Sequence, residues 1–173
     1  VLLVLLAGLT MERLNRTERL WRDSLTKQGL FILGSMEASS RAGMRMMGQG
    51  IQLRRLQFMA EELGQVGLVV SVFLLDPKGA VLIHSDPQKV GLISADSNVL
   101  WARGDPAWAG FAQESFVVLR RFRPMGPPGG RHNRPPFSET PQLGVVHLSL
   151  AEFKAAQRAE LYQAVGLGAA IFI

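Results

Sequence analysis

The chain contains no cysteine, which excludes disulfide bridges and thiolate metal sites. Its three histidines are far apart, and it lacks the Gly-x-Ser-x-Gly turn of hydrolases and the glycine-rich loops that hold nucleotide phosphates. Only Phe122 and Phe137 lie among the basic residues where stacking on nucleic-acid bases would require aromatic rings. These absences predict that this stretch of chain is not itself an enzyme and does not bind nucleic acid.

The composition is that of a folded domain. The 173 residues are 47% hydrophobic and 19% charged, which supplies enough apolar material for a core. The formal net charge is +5, and five arginines fall within one short stretch of the chain. They are Arg120, Arg121, Arg123, Arg131 and Arg134. The basic excess is therefore local and does not indicate a uniformly basic surface.

Both ends of the chain are apolar and uncharged. Residues 1–9 and residues 161–173 contain no charged side chain. Each run is shorter than the roughly 20 residues that a membrane-spanning helix needs, but each reaches an end of the chain. We predict that residues 1–9 end a first transmembrane helix and that residues 151–173 form an exit helix and begin a second. The alternative is a soluble protein with buried terminal helices.

A long helix is predicted for residues 10–63, which contain no proline. Gly43, Gly48 and Gly50 weaken its middle and favour a bend near 43–50. A continuous helix of this length would extend roughly 80 Å at about 1.5 Å per residue, which is more than one small domain covers. Part of it must therefore pack on a partner or stand exposed. This predicts a homodimer through the N-terminal helix, with Leu14, Trp21 and Leu25 at the seam.

Residues 64–150 change to the composition of β-strands. The apolar run at 69–75 and its return at 80–84 flank the turn Asp76-Pro77-Lys78-Gly79. Proline presets φ in such a turn, and glycine adopts the positive φ that closes it. A hairpin is therefore predicted here.

Two further strands are predicted at 115–122 and 143–150, whereas the stretch 101–113 is ambiguous and favours a short helix after Asp105-Pro106. A long helix followed by antiparallel strands predicts an α+β fold. This order is the general plan of PAS-like sensors.

An ordered set of short segments carries a family resemblance. The segments are Arg41 to Met46, Leu56 to Gly67, Leu75 to Gly79, His84 to Pro87 with Val90-Gly91, Phe122 to Met125, and Gly144 to Leu148. Together they resemble the sensor region of the zinc-resistance-associated (hydrogenase-regulating) sensor histidine kinases. In that family several His and Met residues follow the Arg-Pro-Met motif, whereas this chain has Met125 before the loop and only His132 within it.

The resemblance implies a PDC-type (Cache-type, PAS-related) domain in the periplasm. It also implies a homodimeric kinase of the bacterial inner membrane that phosphorylates its own histidine and passes the phosphate to a response regulator. We therefore expect an extracytoplasmic signal-sensing domain, with residues about 10–160 outside the cytoplasm and the kinase core outside this chain. The alternative is a small-ligand-binding module of the chemoreceptor type with no kinase.

The candidate ligand contacts lie at strand ends beside irregular chain. They are His84, Asp86, Arg121 and Arg123. Arginines suit an anionic ligand such as a carboxylate, but they could equally form a solvated strand edge. A divalent metal such as zinc would use His84, Asp86 and His132, although zinc normally takes four ligands. The competing interpretations are a turn in which Ser85 or Asp86 caps local backbone N–H groups, and a packed His147.

Overall fold

The computed structural model describes residues 2–44, 49–94, 101–102, 107–112, 114–122, 141–151, 153–159 and 162. The chain divides into two compact units, of which the first combines Val1–Leu25 with Leu150–Ile173 and the second is Thr26–Ser149. Each unit is described by itself below.

Two helices occupy the region where one long helix is predicted. Helix α1 spans Leu2–Met44 and helix α2 spans Gln49–Gly64. The predicted bend near 43–50 falls largely on residues 45–48, which lie outside the described residues. Helix α2 contacts the first two strands of the sheet, and its Leu56 and Ala60 are buried.

Among the described residues of the second unit, five strands form one antiparallel sheet in the order β2-β1-β5-β4-β3. The strands are β1 (Val69–Leu75), β2 (Val81–His84), β3 (Ala107–Ala112), β4 (Ser115–Phe122) and β5 (Gln142–Ser149). Four of them match the predicted strands to within one residue at either end. The α+β prediction, with a long N-terminal helix and an antiparallel sheet, is confirmed.

The prediction of a short helix within 101–113 is wrong for most of that stretch. Residues 107–112 form β3, which pairs with β4 along its whole length, from Ala107 opposite Arg120 to Ala112 opposite Ser115. Alanine and glycine carry little strand propensity, so the local sequence gave a weak signal. The strand forms because β4 offers it a paired edge and an apolar surface.

The turn between β1 and β2 forms as predicted. Gly79 adopts a φ of 84°, and its N–H donates to the Asp76 carbonyl (3.0 Å). The Asp76 carboxylate accepts hydrogen bonds from the N–H groups of Lys78 and Ala80, each at 2.8 Å. The side chain of Asp76 thus replaces backbone partners inside the turn, as Asp commonly does in this position.

In the second unit, α1 packs on one face of the sheet, which we call the helix face. Its residues include Leu74, Val118, Arg120, Gly144 and Val146, which share one side by the strand registers. The backbone of α1 comes so close that a Cβ added to Gly29 would lie 2.5 Å from Cγ2 of Val118. Contact this close requires glycine, so the helix-to-sheet distance is set by residue 29.

In the first unit, Trp21 and Leu25, two of the three residues predicted at a dimer seam, make contacts within one chain. Leu25 is only 1% exposed, and the ring of Trp21 meets that of Phe153 edge to face, with 6.0 Å between the ring centres. Placing Leu25 at the seam is therefore wrong, because its side chain is already buried. Leu14 lies outside the residues whose side chains are described.

Among the described residues, no helix combines the length and the apolar character needed to cross a membrane.

Candidate functional site

The face of the sheet opposite α1, which we call the far face, carries an apolar cluster of its own. The cluster residues are Phe73, Leu75, Val81, Val117, Leu119, Leu143 and Val145. Trp101 and Trp108 pack against it, and the indole N–H of Trp101 donates to the Asp76 carbonyl (3.0 Å). Aromatic side chains from outside the central strands therefore cover part of this face.

Two histidines flank one phenylalanine on the far face. The ring of His84, at the end of β2, stacks on Phe73 of β1 with centres 5.2 Å apart and an angle of 12°. The ring of His147, on β5, lies 5.8 Å from Phe73 at an angle of 36°. Register places Phe73 opposite His84, so the three rings form one patch, which we call the histidine patch.

A hydrogen bond to the ring of His84 indicates which of its two nitrogens carries the proton. The N–H of Asp86 donates to Nδ1 of His84 at 2.7 Å. Nδ1 must therefore carry no proton, which leaves the neutral ring with its proton on Nε2. A metal ion at Nε2 would require that proton to move to Nδ1, where it would oppose the N–H of Asp86.

The backbone of His84 is held by a glutamine that sequence reasoning missed. The N–H of His84 donates to Oε1 of Gln57 (3.1 Å), and Nε2 of Gln57 donates to the His84 carbonyl (2.8 Å) and to Oε1 of Glu61 (2.7 Å). The amide thus pairs with this edge strand as a neighbouring strand would. The only sequence signal is a glutamine beside the apolar stripe of α2.

Asp86 acts as a local cap. Its Oδ1 accepts a hydrogen bond from the N–H of Gln88 (3.1 Å) at the start of the short 3-10 helix Pro87–Lys89. Nζ of Lys89 lies 3.9 Å from the other carboxylate oxygen in an exposed setting, where such pairs contribute little stability. The arrangement matches the competing interpretation of a capped turn.

His147 lies within β5, and its ring contacts the side chain of a serine. Nδ1 of His147 lies 3.3 Å from the hydroxyl of Ser115 on β4. Burial lowers the pKa of His147, and the positive charge of Lys89 lowers it further. Burial also lowers the pKa of His84, with Lys89 adding to the effect and Asp86 opposing it. Both rings are therefore neutral near pH 7.

Two of the predicted ligand contacts, His84 and Arg121, lie on the far face but do not converge. Arg121 is on the far face beside Leu143, whereas His84 lies three strands away along the order β4-β5-β1-β2. Three strand spacings amount to roughly 14 Å, which exceeds the reach of one small ion. Arg123 and His132 lie outside the described residues. Among the described residues, no three metal-ligating side chains come together.

The lowered pKa values predict a loss of stability in acid. In the unfolded chain each histidine titrates near 6.5, and in the folded chain it titrates lower. Between those values the unfolded state binds more protons, so the free energy of unfolding rises with pH. Stability is fully present above the unfolded pKa and falls as the pH drops through it toward the lowered value.

Thermal unfolding midpoints measured from about pH 8 to about pH 5 will show this dependence, since the interval brackets the ordinary histidine pKa. His147→Gln is expected to flatten the curve. Curves of equal slope for the two proteins would contradict the assignment.

The fold is that of known sensor domains. The sensor domain of the V. cholerae histidine kinase DctB superposes with a TM-score of 0.56 at 15% identity, covering 86% of this chain and 57% of that chain. The extracellular domain of the putative histidine kinase vpHK1S-Z8 gives 0.53 at 10% identity, covering 87% and 60%. A domain of a putative sensory box/GGDEF family protein from Vibrio parahaemolyticus gives 0.54 at 11% identity, covering 88% and 64%. The fold class is therefore the PAS-like α+β fold of these domains.

Two curated relatives are sensor histidine kinases. The chain is 32% identical over 123 residues to the sensor histidine kinase ZraS of Escherichia coli K12, covering 66% of this chain and 26% of the relative. It is 27% identical over 139 residues to ZraS of Klebsiella oxytoca, covering 78% and 29%. No family model matches the chain. The chain is therefore similar in sequence to part of the sensor histidine kinases and similar in fold to sensor domains, so the resemblance is confirmed.

Proposed function

We propose that the chain is the extracytoplasmic segment of a bacterial inner-membrane sensor kinase, which reports ligand binding on its far face to a cytoplasmic kinase core. The similarity to ZraS carries this proposal. The chain spans 26% and 29% of the two ZraS proteins, so the kinase core, the response regulator and the bilayer belong to the proposal. Residues about 10–160 would lie outside the cytoplasm, between two transmembrane helices.

Short connections support transmission from the sheet to the helices. Helix α2 ends at Gly64, and β1 begins at Val69. Strand β5 ends at Ser149, and helical residues resume at Ala151. A ligand shifts the balance between two helix arrangements only if it binds them with different affinities. Homodimerisation through α1 would let both chains respond together.

A small organic anion fits the far face better than a divalent metal. Arg121 carries a guanidinium, which binds carboxylates through paired hydrogen bonds. The nitrogen of His84 that faces Asp86 accepts a hydrogen bond from that residue's N–H, and Asp86 itself caps Gln88. Zinc binding by His84 would therefore require the hydrogen bond from the N–H of Asp86 to break. Arg123 would lie two residues further along the chain and extend the basic end.

Calorimetric titration of the chain with acetate, succinate and citrate tests the ligand class. We expect Arg121→Ala to weaken binding of the best of these by about tenfold or more, because hydrogen bonds to charged groups contribute roughly 1.5–3 kcal/mol. Lys78→Ala, in the exposed β1–β2 turn, is the matched control and should leave binding unchanged. Carboxylate binding that is unaffected by both Arg121→Ala and Arg123→Ala would contradict the proposal that the ligand is an organic anion. Zinc binding lost in His84→Ala would favour the metal.

The kinase assignment has its own test. The full-length protein that contains this chain, reconstituted in proteoliposomes, should label its own histidine from radioactive ATP and transfer the label to a response regulator. Labelling should change when the ligand found by titration is added on the extracytoplasmic side. A protein that shows ligand binding without any phosphorylation would support the alternative of a sensor module with no kinase. The sensory box/GGDEF neighbour favours keeping that alternative, because its domain has this fold in a differently named protein.

A further inference from the structure

Strand β4 brings two adjacent arginines to opposite faces of the sheet. Side chains alternate along a strand, so Arg121 lies on the far face and Arg120 on the helix face. Arg120 pairs with Gly144 and Arg121 with Leu143 in the register with β5. Because a trans peptide is rigid and keeps neighbouring Cα atoms about 3.8 Å apart, a shift of β4 at Arg121 also moves Arg120.

On the helix face, Arg120 holds α1 through a buried carboxylate. Its Nη2 lies 3.2 Å from Oε2 of Glu37, whose side chain is only 8% exposed, compared with 39% for that of Arg120. Removing a carboxylate from water is costly unless a partner compensates it. Buried ion pairs therefore contribute less to net stability than to fixing one arrangement among several.

The sequence of α1 allows this ion pair in only one position of the helix. Glu37 is the only acidic residue between positions 26 and 44. A shift of α1 by one turn, roughly 5.4 Å, would bring position 33 or 41 toward Arg120. Leu33 cannot pair with a guanidinium, and Arg41 would repel it. The ion pair therefore selects one axial position of α1 on the sheet.

One turn along α1 from Glu37, a close contact depends on the same axial position of the helix. A Cβ added to Gly144 would lie 2.7 Å from Cδ2 of Leu33. Leu33 is 1% exposed, so its tip fills the space that Gly144 leaves open. The contact and the ion pair lie on the same stretch of α1, and both depend on how far the helix has moved along the sheet.

We propose that the Glu37–Arg120 ion pair is the element that couples the far face to α1, by locking the helix in one axial position until β4 shifts. The inference rests on the proposed sensing function and identifies where its signal crosses the sheet. Glu37 and Arg120 are positioning residues, because neither lies on the far face. Their loss should free α1 to slide without unfolding the sheet.

Cross-linking tests the lock without a ligand or a kinase core. The chain has no cysteine of its own, so Leu33→Cys with Gly144→Cys gives one defined thiol pair, and the two changes together relieve the contact between those residues. Ser115→Cys with Ser149→Cys is the control pair, because these residues lie directly opposite each other on β4 and β5, where Cβ atoms are about 4.5–5.5 Å apart. Both pairs are oxidised in the full chain held in lipid nanodiscs.

Glu37→Gln or Arg120→Gln should slow disulfide formation at 33/144 by about fivefold or more, which is the lower end of typical allosteric coupling, and should leave the rate at 115/149 unchanged. The exchanged pair Glu37→Arg with Arg120→Glu should restore the rate, and the exposed Glu62→Gln should not alter it. An unchanged 33/144 rate overturns the proposal. A parallel loss at both pairs also overturns it, because the ion pair would then only support folding. Failure of phosphorylation in the proteoliposome assay would count against the kinase assignment and leave this result standing.

Discussion

Replacing Phe116 with alanine is expected to lower the free energy of unfolding by about 3–5 kcal/mol, the usual cost of emptying a buried aromatic site. Phe116 lies on β4, is 0% exposed and is the largest of the fully buried side chains described. Its ring also meets Phe111 of β3 edge to face, with centres 5.1 Å apart at 77°. Such an aromatic pair contributes roughly 0.5–1.5 kcal/mol beyond its buried area, so the upper half of the range is expected.

Urea denaturation of the two proteins, followed by circular dichroism, measures the change. Phe58→Ala is the matched control, since Phe58 on α2 is 59% exposed and its truncation should alter stability by no more than about 0.5 kcal/mol. Equal losses for the two variants would show that the packing around Phe116 does not carry the stability assigned to it.

The hairpin shows why much of the sheet could be predicted. Asp76 and Gly79 are needed by the turn itself, and the flanking runs are apolar enough to be buried strands whatever surrounds them. Local chemistry alone therefore placed β1 and β2. Strand β3 could not be found in the same way, because its alanines and Gly110 acquire an extended structure only from pairing with β4. A Cβ at Gly110 would lie 2.6 Å from the ring of Trp108. No pattern in the sequence predicts this contact.

The candidate site was predictable only in part for a related reason. The sequence indicates His84 and Arg121 because they lie at strand ends, and the strand registers place them on one face. Their separation depends on the strand order β2-β1-β5-β4, which periodicity does not contain. Gln57 binds a backbone 27 residues away, and Glu37 meets Arg120 across the helix-to-sheet interface. Such contacts are decided by tertiary packing, so composition and spacing could not indicate them.

The same substitution at two glycines of α1 is expected to have opposite effects. A Cβ at Gly29 would lie 2.5 Å from Cγ2 and 2.7 Å from Cβ of Val118, whereas a Cβ at Gly34 would lie 3.7 Å from its nearest neighbour, Nη1 of Arg120. The first distance is shorter than real carbon contacts, and Val118 is buried in a paired strand and cannot withdraw. The second is an ordinary van der Waals contact. Packing therefore decides the outcome at residue 29, and helix propensity decides it at residue 34.

Gly34→Ala should raise the free energy of unfolding by up to about 1 kcal/mol, because alanine loses less conformational entropy than glycine in a helix. Gly29→Ala forgoes that gain and should lower stability by about 1–3 kcal/mol, the cost of overpacking a dense interface. Urea denaturation midpoints of the two variants, measured beside the parent chain, show whether each substitution raises or lowers the free energy of unfolding. If both variants were stabilised, α1 would have to lie further from β4 than the contact at Val118 requires.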